Sequence, residues 1–195
     1  EAFSQSFTMK GVLYLMDGKI YRAVRKSSKN TAWEAVSVSG TAYVPTTTIS
    51  AAPTGGGTSY EAVNLLTPKR INTFIGDGTA TQFKVDATDL DETAVTAEVN
   101  GSAVTVSAVN RSTGLVTLAA APANGNGLAN VSIAFAKTVS GHADKINKCR
   151  FAGLYGGKND TRVFLSGNPD EPDCDWQSGL YDPTYFPDTG YTRMG

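Results

Sequence analysis

Four acids within six residues, Asp170-Glu171-Pro172-Asp173-Cys174-Asp175, form the densest group of reactive side chains in the chain. Closely spaced carboxylates can chelate calcium, which takes oxygen ligands, and this makes Asp170, Asp173 and Asp175 the candidate calcium ligands. A pair of carboxylates can also supply the acid and the nucleophile or base of a glycosidase. The loop lacks the spacing and central glycine of a calcium-binding loop, and prolines interrupt it. The preferred reading is a solvated loop. Just beyond it lie the aromatic residues Trp176, Tyr181, Tyr185 and Phe186. They are the candidate ligand or subunit contacts, because aromatic rings stack on sugars, fill cores and anchor interfaces.

Other chemistry is sparse. Cys149 and Cys174 cannot form a zinc site alone, since such a site needs about four ligands. Two free thiols are the expected state, with a disulfide between them as the alternative. The single histidine, His142, comes after Gly141 in a stretch that reads as a linker. No serine or cysteine can be tied to a base, so no catalytic triad is expected. The glycine run in Pro53-Thr54-Gly55-Gly56-Gly57-Thr58-Ser59 lacks the Gly-Lys-Ser/Thr and helix of a phosphate loop, and reads as a flexible loop. The expectation is a protein that is not an enzyme, with no catalytic residue, no cofactor and no metal beyond the calcium alternative.

With 195 residues and a net charge of −1, the chain can bury a core but carries no basic face for nucleic acid. Arg22, Arg25, Lys26 and Lys29 cluster, but serine and asparagine sit among them, as on a solvated hairpin turn. No apolar run approaches a membrane span, and no basic start leading into an apolar run marks a secretory signal. The chain begins at Glu1 and ends without a closing cap, so a piece of a longer protein is expected.

The elements that must position these residues read as β throughout. Val12-Leu13-Tyr14-Leu15-Met16 and Lys19-Ile20-Tyr21-Arg22-Ala23-Val24 flank Asp17-Gly18, a strong hairpin signal. A third run, Trp33 to Val38, completes a meander of the kind found in one propeller blade. Residues 43–49 read as extended. Strands are expected at 71–75, 81–86, 94–100, 102–109, 114–118 and 129–136, with a turn at Asn100-Gly101. Such regular short strands argue for a sandwich. Residues 149–155 and 161–166 form a further hairpin about a turn at 156–160. No window holds an apolar pattern at helical period. A single helical turn is expected around Asp182 to Phe186.

The fold class expected is therefore all-β: a small inserted β-sandwich within a partial, propeller-like meander domain. Each flank offers two or three strands, too few for an independent sheet. Residues 1–70 with 139–195 are expected to form one discontinuous antiparallel domain, interrupted by a sandwich at 71–138. Residues before Pro68 should then pair in one sheet with residues after Lys148.

The middle segment resembles the small β-sandwich repeats of phage tail and fibre proteins. Phe74, Gly76, Asp77, Gly78 and Phe83 match the opening pattern of those repeats. Ala97-Glu98-Val99-Asn100-Gly101 and the stretch from Thr113 to Gly125 match their middle and closing patterns. The flanks resemble virion structural proteins of tailed phages and prophages, through 60–70, 162–169 and 182–188. Some such proteins look like propeller components of the tail or its connector. The resemblance implies a structural, tail-associated or head–tail connector protein, made in the bacterial cytoplasm and located in the virion. Its implied partners are other virion proteins or further copies of itself, with neither nucleic acid nor membrane. The alternatives are a carbohydrate-binding adhesion module at the tail tip, contacting a host glycan through Trp176 and the neighbouring tyrosines, and a tail-borne glycan hydrolase.

Overall fold

A computed structural model describes residues 4–26, 32–157 and 160–195. Lys29 of the basic cluster, and Lys158 and Asn159 of the expected turn at 156–160, lie outside the described residues. The fold is all-β. The strands are Gln5–Met9 (β1), Val12–Met16 (β2), Tyr21–Lys26 (β3), Trp33–Ser37 (β4), Thr46–Ala51 (β5), Thr58–Ser59 (β6), Lys69–Phe74 (β7), Gln82–Lys84 (β8) and Thr96–Val99 (β9). They continue with Ser102–Val104 (β10), Val106–Asn110 (β11), Leu115–Leu118 (β12), Val131–Ala136 (β13), Phe151–Tyr155 (β14), Arg162–Ser166 (β15), Cys174–Gln177 (β16) and Tyr191–Arg193 (β17). Among the described residues one short α-helix, His142–Asn147 (α1), precedes β14, and a single 3-10 turn spans Val38–Thr41. Among the described residues no helix is long and apolar enough to cross a membrane.

The chain divides into two compact units. The first takes the chain up to Tyr43, then Asn64–Thr67 and Ser140–Gly195; the second takes Val44–Val63 and Pro68–Val139. The C-terminal boundary falls within a residue of the expected one. The N-terminal boundary does not. Residues 44–63, expected with the flanks, belong to the second unit, because β5 runs parallel beside β7 and β6 closes antiparallel on β5. Only Asn64–Thr67 returns to the first unit before the sandwich continues.

In the first unit, β1-β2-β3-β4 and β14-β15-β16-β17 form two four-stranded sheets, each strand pairing with the next in sequence. Lys10 and Gly11, both at positive φ (51° and 74°), link Met9 to its partner Val12. That pair of conformations suits a two-residue hairpin, and its twist matches the strands it joins. The Asp17-Gly18 hairpin forms with a longer loop, since Met16 pairs with Tyr21. Asp17 Oδ1 accepts the N–H groups of Lys19 and Ile20, each at 2.9 Å, and Oδ2 accepts from Arg22 at 2.6 Å. Asp17 therefore acts through its side chain as well as its backbone. One core joins the two sheets: Met9, Tyr14, Met16 and Tyr21 from the first, Val163, Leu165, Cys174 and Trp176 from the second, with Leu65, Ile146 and Phe186 among them. Tyr21 is fully buried, stacks on Tyr14 with centroids 5.6 Å apart, and donates its hydroxyl to Pro183 O at 3.0 Å.

Three expectations about this unit need correction. The flanks do not share one sheet. Each carries four strands of its own and completes its own ladder; the direct pairing across them is an isolated bridge between Asn64 and Pro187. The extra strands are β1, β16 and β17. The alternation in β1 is weak, and β16 emerges from the acidic loop. Asp182 to Phe186 does not form a helical turn. Asp182 Oδ1 instead takes the Thr184 N–H at 2.8 Å, and Asp182 bridges to Gly179. Helix lies at α1, where Gly141 at φ 80° precedes His142, so His142 opens a helix rather than sitting in a bare linker.

The second unit is a sandwich of a six-stranded sheet, β10-β9-β13-β7-β5-β6, and a three-stranded sheet, β11-β12-β8. The run expected at 102–109 is two strands. β10 pairs with β9, while β11 pairs with β12 in the other sheet, so the chain changes sheets at Thr105. This is how sandwich corners are made. Asn100 (φ 50°) and Gly101 (φ 76°) make the expected tight turn. The core holds Phe74 and Phe83, edge to face at 5.4 Å, with Val116, Leu118, Val131 and Ile133. Gly76 admits no side chain, since a Cβ would lie 2.8 Å from Ala123 O. Asn130 fastens that turn, accepting from Gly76 N and donating to Ala123 O, both at 2.8 Å.

Asn64 is buried and makes four hydrogen bonds to main chain of its own unit. Asn64→Ala should therefore lower stability by about 3–6 kcal/mol in urea unfolding, the sum of several orphaned buried groups. The Arg22 hydrogen bond, then those from Ile20 and Lys19, hold the Asp17 carboxyl down at about 2. A depressed carboxylate stabilises fully above its unfolded value and loses this as pH falls through the folded one. The melting-temperature advantage over Asp17→Asn, seen near neutrality, should therefore vanish by about pH 2.

Candidate functional site

The acids of the sequence-predicted site are dispersed among cations. Asp170 pairs with Lys148 at 2.7 Å, and Asp173 pairs with Arg193 at 2.8 Å. The Arg193 hydrogen bond lowers the Asp173 carboxyl below its ordinary value. Asp175 lies in β16 opposite Thr192, on the face away from the buried Cys174 and Trp176. Among the described residues no group of three or more His, Cys, Asp or Glu side chains is placed to hold a metal ion. The calcium alternative, a chelate of Asp170, Asp173 and Asp175, is thus not assembled: Lys148 and Arg193 claim the first two, which lie in turns, while Asp175 lies within β16.

The aromatic candidates also part. Trp176 and Phe186 are fully buried in the first unit's core. Lys145 Nζ lies 5.0 Å from the Trp176 ring centre, and Tyr191 packs at 5.1 Å. Neither buried residue offers a face to a ligand. Tyr181 and Tyr185 are half-buried, with Tyr185 tilted against Tyr43 at 5.1 Å. Cys149 and Cys174 are free and buried. Burial pushes the Cys149 thiol up to about 12 and the Cys174 thiol in the same direction, so neither supplies a thiolate near neutral pH.

What the first unit does expose is a set of apolar side chains on the outer face of each sheet. In β1–β4 the pairing sets Thr8, Leu13, Val24 and Ala35 in one cross-strand row, on the side opposite Tyr14 and Ala23. Leu15 shares that face, and Trp33 lies at its edge, 69% exposed, with Lys26 Nζ 5.7 Å from its ring centre. In β14–β17 the outer face carries Phe151, Tyr155 and Phe164, while Val163, Leu165 and Trp176 point to the core. Tyr155 is 78% exposed and meets Phe164 edge to face at 6.3 Å. An antiparallel sheet with one solvated face normally alternates apolar and polar. In these two sheets the outer face instead mixes exposed apolar residues with polar ones, Thr8, Arg22 and Lys26 in the first and Arg162, Asp175 and Gln177 in the second. The runs Val12 to Met16 and Phe151 to Tyr155 hold that signal, as apolar residues at consecutive positions.

None of the protein-family models, curated proteins or solved structures compared with this chain matches it.

Trp176→Ala should lower stability by about 3–5 kcal/mol in urea unfolding, as expected for emptying a large core site. Added calcium should leave the melting temperature unchanged, since a metal bound only by the folded state would raise it.

Proposed function

We propose that this chain is a structural component of a tailed-phage or prophage virion, tail-associated or at the head–tail connector, and that it acts by protein–protein assembly. The observation that carries the reading is the pair of four-stranded meanders whose outer faces carry exposed aromatic and aliphatic residues. Four strands in sequential order make one propeller blade, and blades pack through both faces against their neighbours. Exposed aromatic and aliphatic residues such as Trp33, Leu13, Phe151 and Tyr155 suit such contacts. The resemblance of the sandwich to phage tail and fibre repeats supports the virion setting. Its motif residues do structural work here: Gly76 is held by Asn130, and Asp77 caps the N–H groups of Thr79 and Ala80.

The partners in this reading are other virion proteins or further copies of the chain, assembled in the bacterial cytoplasm. It requires no catalytic group. Glycan binding through Trp176 is not favoured, because that ring is buried. Mass spectrometry of purified particles should find the protein; particles lacking it would sink the proposal. Replacing Leu13 and Tyr155 together with lysine should leave the circular dichroism of the isolated chain unchanged, both side chains being exposed, and should prevent incorporation into particles.

A further inference from the structure

The second unit holds a cavity of about 400 Å³ between the glycine run after β5 and the segment just beyond β8. That volume falls in the ~300–1,000 Å³ range of small-molecule sites. Thr48, Asn72 and Asp86 on its polar wall are tied together by a hydrogen-bonded ring that also takes in Thr47 behind them. Asp86 Oδ2 accepts the hydroxyls of Thr47 at 2.6 Å and Thr48 at 2.7 Å. Asn72 Nδ2 donates to Thr47 Oγ1 at 2.9 Å, and Asn72 Oδ1 accepts the Asp86 N–H at 2.8 Å. Asn72, Thr47 and Thr48 are buried, whereas Asp86 is exposed. The carboxylate is therefore gripped at its backbone and at one oxygen. Its other oxygen, Oδ1, makes no hydrogen bond or ion pair with the described residues.

Lys84 supplies the opposite polarity. It stands two residues before Asp86 and lines the same cavity. Its stem passes over Gly55, where a Cβ would lie 3.2 Å from Lys84 Cγ. Its ammonium makes no ion pair or hydrogen bond with the described residues. Gly55, Gly56 and Gly57 take φ values of 103°, 80° and 92°, which side-chain-bearing residues rarely adopt. Gly57 is closed in further, since a Cβ would lie 2.7 Å from Ile49 O. The run expected to be a flexible loop is thus a shaped wall with backbone exposed at Gly56. Ala51, Val85 and Ala87, with Thr54 and Thr88, complete the lining.

We propose that this cavity binds a single neutral sugar unit. A sugar hydroxyl both donates and accepts, so neighbouring hydroxyls can give a hydrogen bond to Asp86 Oδ1 and take one from Lys84 Nζ. Charge-assisted bonds of this kind are the strong ones. The C–H face of the ring fits the alanine, valine and glycine surface. A free anion meets the Asp86 charge, and a metal ion meets Lys84 without a second carboxylate in the lining. This site is separate from Trp176 and from the exposed sheet faces, and it does not depend on the assembly role.

Saturation-transfer NMR on the intact chain with glucose, galactose, N-acetylglucosamine and rhamnose tests it, with glycine and inorganic phosphate as controls. Transfer to at least one sugar is expected, with affinity weakened about tenfold in Lys84→Ala and in Asp86→Asn. Lys84 is only half-buried, so Lys84→Ala should keep the wild-type melting temperature and remains decisive if Asp86→Asn unfolds. No transfer to any sugar would overturn the assignment. Sugar binding unchanged in folded Lys84→Ala would also overturn it, as would binding of glycine or phosphate in place of sugar.

Discussion

The side chain of Asn64 is the contact on which the chain's organisation turns. Its amide donates to Tyr43 O at 2.7 Å and Thr184 O at 2.8 Å, and its oxygen accepts the N–H groups of Leu66 and Phe186 at 3.1 and 3.0 Å. One buried residue thereby ties three distant stretches of the first unit: the exit from its first sheet, the short return at Asn64–Thr67, and the C-terminal segment. The Leu65 N–H adds a bond to Phe186 O at 2.8 Å. Leu65 and Leu66 then enter the core beside Phe186. A buried amide with every group satisfied is stable and specific, and the cost of orphaning its partners makes alternatives poor. This anchoring lets the chain leave the first unit twice, once for β5 and β6 and once for the rest of the sandwich.

The same unit shows what folding does with its chemistry. Its strongest sequence features are acids and aromatics near the C-terminus, and folding consumes both. Asp170 and Asp173 are neutralised by Lys148 and Arg193, and Trp176 and Phe186 become core. The large apolar residues left exposed, such as Leu13, Trp33, Phe151 and Tyr155, lie on sheet faces. The sandwich shows the reverse economy. Its motif glycines and asparagines serve turns, while residues with no motif to mark them, Asp86, Asn72, Thr47 and Thr48, build a polar wall across β5, β7 and the segment after β8.

Much of the architecture was legible as pattern. The strands at 71–75, 114–118 and 129–136 correspond closely to β7, β12 and β13, because alternation and Asn-Gly or Gly-rich turns are local signals. The three runs of the first meander correspond to β2, β3 and β4 for the same reason. Less legible were strands whose partners decide them. β1 alternates weakly, β16 was hidden among acids, and β5 carries threonines that suit either unit. The candidate site was the least legible part. Carboxylate density raised chelation as an alternative, yet cations elsewhere in the chain, Lys148 and Arg193, claim two of the three acids.

Local sequence dictates the class of structure here: short alternating runs and positive-φ turn residues admit β-strands joined by tight turns, with a sandwich between two flanks. Those are properties of near neighbours, and local sterics and periodicity set them. Folding in three dimensions selects which strands share a ladder and makes the flanks complete two sheets over one core. It also moves 44–63 out of the first unit while Asn64–Thr67 stays, and turns Asp86 and Lys84 toward one cavity. Those outcomes depend on contacts between residues far apart in the chain, such as Asn64 with Phe186 and Thr47 with Asp86, and no local pattern records them.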